Sequence, residues 1–350
     1  MLQERVEGKW LASFRRVLAL NGIGRGTQVA LVHETQSRPV LVHLAELALY
    51  DLGAEFCIIQ MPTPPQMAPV PVKSTGTSWA LQGNRAVIEA LKRVDVVVDC
   101  TVEGLIHAPE WPEIEEAGRA RLFVITNEHP EILERIEPKA EHGPRVEAGI
   151  KMLRAASEMR VTSAIGTDLS IELHDAPCGG TPGFGTTPGS VAHWPGGLCL
   201  AFPGKNAVNG RIVMGVGDMN LTFKTCLTSQ IDFTVENDFV TAIKGDGIDA
   251  LHLREYMAAW NDQNAYGMSH VGWGMNPGAQ WVSAAMYDKR DMQAVEFRAL
   301  AGSFLWSTGA NQYAGRYTLG HFDLPMRNCT IALDGLIVVK DGVLQGDLAH

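Results

Sequence analysis

Residues 84–100 read NRAVIEALKRVDVVVDC, and this stretch decides the fold. Its first part, 84–94, spaces apolar and charged residues as a helix does, and its last part, VDVVVDC at 94–100, is a short apolar run between acids. A strand apolar on both sides must be buried on both faces, which points to a parallel sheet covered by helices. The neighbouring segments repeat the rhythm: an amphipathic helix over 3–20, VALVH at 29–33, a helix over 39–52, EFCIIQ at 55–60 and RLFVI at 121–125. Between them MPTPPQMAPVPV at 61–72 must be loop, because its prolines remove donors and restrict the preceding residues.

Farther along, the rhythm changes. After a helix over 144–159, paired extended segments such as IDFTVENDFVTAI appear, with Glu236, Asn237 and Asp238 as a hairpin turn. The expected architecture is α/β: an N-terminal α/β domain with a parallel sheet over 1–160, then a C-terminal α+β catalytic domain with a metal site over 161–350. The Gly- and Pro-dense stretch 177–197 reads as a long loop, and a loop that long is usually functional.

At 350 residues the chain exceeds what one core usually supports. With 46% hydrophobic and 19% charged residues it is globular in composition, and its net charge of −10 repels polyphosphate and anionic lipid, so nucleic acid is not an expected partner. No apolar run reaches the roughly 18 residues of a membrane span, and residues 1–20 lack the pattern of a signal peptide. Six cysteines with no CxxC pair suit free thiols in a reducing compartment, so the expected location is cytoplasmic.

Several familiar motifs are missing. GIGRG at 22–26 lacks the GxGxxG spacing and precedes a strand, and neither a G-x-S-x-G elbow nor a Walker A loop occurs. What stands out is His321-Phe322-Asp323, since residues i and i+2 of a strand share a face. Its plain reading is a hydrogen-bonded His–Asp pair. A second histidine, His270, sits in the glycine- and aromatic-rich SHVGWGMNP at 269–277, and two histidines with one carboxylate are the donor set of a facial-triad Fe(II) oxygenase. Spacing alone does not bring His270 to His321.

On SHVGWGMNP, NQYAGRYTLGHFDLP at 311–325 and DGLIVVKDG at 334–342, the chain resembles the 2,5-dihydroxypyridine 5,6-dioxygenases, iron enzymes of bacterial nicotinate and nicotine breakdown. The likeness extends over nearly the whole chain. That family is similar in turn to metallo-aminopeptidases of the aminopeptidase T type, which bind two metals through two glutamates, two histidines and an aspartate. Against the aminopeptidase pattern, HWPGGLCLAFP at 193–203 has Leu198 where the first glutamate is expected, His270 replaces the second glutamate, and FLWSTGANQ has Ser307 near the expected histidine. A dinuclear hydrolase needs anionic ligands to hold two ions about 4 Å apart, and only His321 and Asp323 remain.

The resemblance therefore implies Fe(II) on His270, His321 and Asp323, with 2,5-dihydroxypyridine and O2 as substrates, cleavage between C5 and C6, and N-formylmaleamate as product. A hydrolase of the aminopeptidase T type is the alternative. For proton transfer we single out His107, in the loop after VDVVVDC, and His193, since imidazole titrates nearest neutrality. Arg298 could steady an anionic oxygen, Ser307 could hydrogen-bond the ring substituents, and Trp194, Trp273 and Phe304 could wall a flat substrate. His33, Asp99 and Cys100 are read as structural. Symmetric homo-oligomers are common at this size, so a homo-oligomer is expected.

Overall fold

The computed structural model describes residues 2–65, 78–118 and 120–349. The expected alternation is there: α1 (Gly8–Leu20), β1 (Gln28–Glu34), α2 (Pro39–Leu52), β2 (Glu55–Met61), α3 (Arg85–Leu91), β3 (Val96–Asp99), α4 (Trp111–Glu116) and β4 (Arg121–Ile125), followed by α5 (Pro130–Arg135) and α6 (His142–Ala155). Local chemistry sets the helix ends. Pro39 opens α2 where no N–H is needed and Gly53 closes it at a left-handed φ of 69°, while the Asn84 side chain accepts from the Ala86 and Val87 amides to cap α3. Most of the expected loop at 61–72 lies outside the described residues.

Strands β1 to β4 pair in parallel in the order β2-β1-β3-β4. Val96 and Val98 face a core shared with α1 and α2, whereas Val97 faces one shared with Ile88 of α3 and Trp111 and Ile114 of α4. That two-sided burial is why VVVD carries no polar residue before its last position.

The second half is antiparallel. Its strands are β5 (Glu158–Ser163), β6 (Asp168–Glu172), β7 (Cys178–Thr181), β8 (Val191–Trp194), β9 (Leu198–Ala201), β10 (Val208–Met214), a short ribbon of β11 (Met219–Asn220) and β12 (Thr225–Cys226), then β13 (Ile231–Glu236) and β14 (Phe239–Lys244). After α7 (Ile248–Ala259) come β15 (Met268–Gly274), the short α8 (Ser283–Met286) and α9 (Glu296–Ala299), β16 (Phe304–Thr308), β17 (Phe322–Met326), β18 (Cys329–Leu333), β19 (Leu336–Lys340) and β20 (Val343–Leu344). Apart from β8 and the β11–β12 ribbon, they form an eight-stranded sheet, β14-β13-β10-β6-β5-β18-β19-β20, and a five-stranded one, β17-β16-β15-β9-β7. The two share one core, in which the rings of Phe233 on β13 and Trp306 on β16 meet at 4.9 Å. The hairpin read at 236–238 is present, with Asn237 and Asp238 both at positive φ, as a tight turn between twisted strands requires.

Two expectations change. Stretch 177–197 is not one loop, because it contributes β7 and β8. Strand β8 then pairs in parallel with β4 and completes the first sheet, so the chain returns to the N-terminal sheet after β5 to β7 have joined the others. The helix expected over 144–159 ends at Ala155, since Glu158 already belongs to β5. Among the described residues no helix is long and apolar enough to cross a membrane.

Buried carboxylates tie the halves together. Glu128 is fully buried, and its two oxygens accept the Gln293 and Val295 amides at 2.6 and 2.9 Å. Burial pushes its pKa up to about 7, against the pull of those amides. A carboxyl with a raised folded-state pKa stabilises the fold fully below its unfolded value and loses that contribution as pH rises through the folded one. Urea unfolding between pH 4.5 and pH 7 is therefore expected to show a falling contribution, at most about 1.4 kcal/mol per pH unit. Glu128→Gln should flatten that slope; an unchanged slope would refute the assignment.

Candidate metal centre

The residues that converge come from both halves. His107 lies in the loop after β3, His270 in β15, and His321 and Asp323 at the start of β17. Between Met268 and Val271 the pairing of β15 with β16 shifts by one residue, and His270 lies within that shift. In the next pairing Ser307 of β16 stands opposite Asp323 of β17. The Ser307 hydroxyl accepts the His270 amide at 3.0 Å and donates to the His270 carbonyl at 3.1 Å.

Asp323 is 0% exposed. Its Oδ1 stands 3.5 Å from His270 Nε2 and 3.4 Å from His321 Nε2, while Oδ2 accepts from Arg298 Nη1 at 2.9 Å. Neither Oδ1 nor His321 Nε2 makes a hydrogen bond of good geometry, an expensive condition for buried polar atoms. Metal–ligand bonds of about 2.1 Å at right angles place donor atoms about 3 Å apart. The two imidazoles and Oδ1 fit one cation, which would satisfy the orphaned atoms. His107 completes a cluster in which one nitrogen from each of His107, His270 and His321 lies within 4.8 Å of the others; its ring is 4.9 Å from that of His321.

Burial alone would raise the Asp323 pKa, but His321, Arg298 and His270 together hold it well below the usual carboxylate range. Burial likewise pushes His270 and His193 down to about 3, and His107 well below an ordinary imidazole. At neutral pH these three rings are uncharged, with lone pairs available to a cation or a proton. Packing orients the metal-facing rings, since neither His270 nor His321 has a hydrogen-bond partner at Nδ1. Phe202 meets the His270 ring edge-on at 5.7 Å. Gly309, at φ +117°, lies so close to His321 that a Cβ would stand 2.9 Å from its Cα and 2.4 Å from the Gly320 carbonyl.

The remaining candidates divide. His193 is buried at the C-terminal end of β8, and its Nδ1 lies 2.6 Å from the Pro195 carbonyl. A carbonyl only accepts, so Nδ1 carries the proton and Nε2 the lone pair. Arg298 holds Asp323, and Ser307 spends its donor on the His270 backbone. Trp194, Trp273 and Phe304 pack in the cores: Trp194 against Phe14 with its Nε1 donating to the Leu133 carbonyl, the other two at 0% exposure between the antiparallel sheets. The ring that does approach the cluster is Phe202, itself 5.3 Å from that of Tyr313. Nothing in LCLAFP marks it, because a phenylalanine ending a strand is ordinarily core. Asp99 accepts the Thr101 and Leu105 amides at the foot of the His107 loop.

The same fold occurs in solved structures. The 2,5-dihydroxypyridine dioxygenase from Pseudomonas putida KT2440 superposes with a TM-score of 0.92 at 34% identity, covering 99% of this chain and 100% of that one. AmpT from Thermus thermophilus shares the fold alone, with a TM-score of 0.62 at 13% identity over 96% of this chain and 100% of that one. Fold and buried cluster together define a dioxygenase with a histidine-rich cluster suited to holding a metal ion. The family model described as 2,5-dihydroxypyridine 5,6-dioxygenase matches residues 9–346, and the curated 2,5-dihydroxypyridine 5,6-dioxygenase of Pseudomonas putida KT2440 is 36% identical over 334 residues, 94% of each chain. The chain belongs to the 2,5-dihydroxypyridine 5,6-dioxygenase family.

Removing Arg298 would leave the buried Asp323 carboxylate without the guanidinium that holds its Oδ2. In metal-free protein Arg298→Gln is expected to lower stability by about 3 kcal/mol. Adding Fe(II) should recover part of that loss, read as a rise in Tm larger than in the wild type. An equal rise in both would contradict the shared-charge account.

Proposed function

We propose that the chain cleaves 2,5-dihydroxypyridine between C5 and C6 with O2, giving N-formylmaleamate, at an Fe(II) site made by His270, His321 and Asp323. The observation that carries the assignment is the convergence of His270 Nε2, His321 Nε2 and the unsatisfied Asp323 Oδ1 inside the protein. Two imidazoles and one carboxylate suit Fe(II) and leave three coordination positions open. The aminopeptidase-like alternative is not favoured: Leu198 is a buried apolar residue of β9, and Ser307 is spent on the His270 backbone.

Bound iron would bring an electron-rich ring and O2 into one coordination sphere and lower the pKa of the ring hydroxyl. The chain's own residues do the rest. Neutral His107 faces the cluster from the opposite half of the molecule and is placed to take the hydroxyl proton; burial makes it hold a proton weakly and pass it on. His193, fixed as the Nδ1–H tautomer, presents Nε2 as a second acceptor. Phe202 offers an aromatic face beside His270 for the flat substrate. Arg298 keeps Asp323 Oδ2 occupied, which leaves Oδ1 as the oxygen that would hold the metal.

The six thiols, unpaired in the structure, agree with a reducing, cytoplasmic setting, and such chemistry suits nicotinate breakdown. A homo-oligomer is part of the same reading.

The test is anaerobic purification, stoichiometric Fe(II) loading, then 2,5-dihydroxypyridine with simultaneous recording of O2 uptake and ring absorbance. One O2 per ring lost, dependent on Fe(II), is the expected result. Alanine at His270, His321 or Asp323 should lower both turnover and iron content at least tenfold, whereas His107→Ala should lower turnover and keep the iron. Near-normal turnover in iron-loaded His321→Ala would overturn the ligand assignment.

A further inference from the structure

His107 reaches the metal ligands from a different sheet, so something must set its distance from them. Three groups grip the start of its loop. Asp99 accepts the Thr101 and Leu105 amides, Glu34 accepts the Val102 amide at 2.7 Å, and Gln293 Nε2 donates to the Val102 carbonyl at 3.1 Å. The first two belong to the N-terminal sheet. Gln293 comes from the C-terminal half, and its Oε1 also accepts the Asn127 amide at 2.8 Å, so one amide clamps the loops after β3 and β4 together.

The backbone that carries Gln293 is held firmly. The Gln293 and Val295 amides both point at Glu128, and Ala294 between them takes a left-handed φ of 70°, a conformation that alanine keeps only where its surroundings impose it. Just beyond, Arg135 clasps Glu296 through two hydrogen bonds and Arg298 holds Asp323. The short run 293–298 therefore grips the His107 loop at one end and the candidate metal carboxylate at the other.

We infer that Gln293 is a positioning residue for the dioxygenase reaction, setting the His107 loop against the metal-binding face through its bond to the Val102 carbonyl. This rests on the acid–base role proposed for His107. Gln293 touches no reacting atom; it acts through the loop, and a side chain of equal length without the amide breaks the link while filling the space.

Gln293→Met, with Gln293→Ala in case methionine packs poorly, is compared with wild type by amide hydrogen exchange, iron content and turnover, each alone and combined with His107→Ala. Exchange across 101–107 is expected to speed up at least tenfold, with iron content and exchange in 268–274 unchanged. Turnover should fall at least tenfold in the wild-type background and less than twofold in the His107→Ala background, because a residue acting through His107 has nothing left to position. Unchanged exchange across 101–107, or an equal loss of turnover in both backgrounds, would overturn the inference. Full turnover in His107→Ala would instead remove the acid–base reading, and the exchange measurement would still decide whether Gln293 positions the loop.

Discussion

A carboxylate with no solvent exposure is the constraint on which the rest of this structure depends. Asp323 lies in the protein interior, where an isolated charge is untenable. Arg298 neutralises one oxygen. The other oxygen faces two imidazoles and has no hydrogen bond of its own, so the protein stores an unsatisfied acceptor that a cation would satisfy. Much of the antiparallel five-stranded sheet follows from keeping those groups aligned: the register sets Ser307 opposite Asp323, Ser307 grips the His270 backbone, and His270 lies where the pairing of β15 with β16 shifts.

The second organising feature is the seam between the parallel sheet and the antiparallel sheets. Backbone amides at the ends of β3 and β4 would be orphaned there, and buried side chains satisfy them: Asp99 and Glu34 for the loop after β3, Gln293 for the loop after β4. Glu128 returns the favour to the C-terminal half. Such groups are expensive to bury and hold their partners in one geometry, and a site shared between two sheets needs that geometry fixed.

AmpT shares this fold at 13% identity, and a shared fold does not by itself carry a shared chemistry. A scaffold of two stacked antiparallel sheets with a parallel sheet beside them serves both proteins. Here the buried cluster is imidazole-rich: His107, His270 and His321 lie together, with Asp323 beside the last two, and the β9 position where an aminopeptidase glutamate is expected holds Leu198, buried in the sheet.

The primary structure by itself determined the parallel sheet, since an apolar run such as VVVD can be buried only between two layers of helices, and it determined that His321 and Asp323 share a face, since strand periodicity is local. The turn at 236–238 was legible for the same reason. Tertiary structure alone decided what depends on residues far apart in the chain. It showed β8 returning to the first sheet, Phe202 rather than Trp194, Trp273 or Phe304 beside the histidines, Arg298 and Ser307 as supports for Asp323 and His270, and His107 arriving from the opposite sheet. Those choices come from long-range strand pairing and from the packing of buried charges, and no local pattern of residue types encodes either.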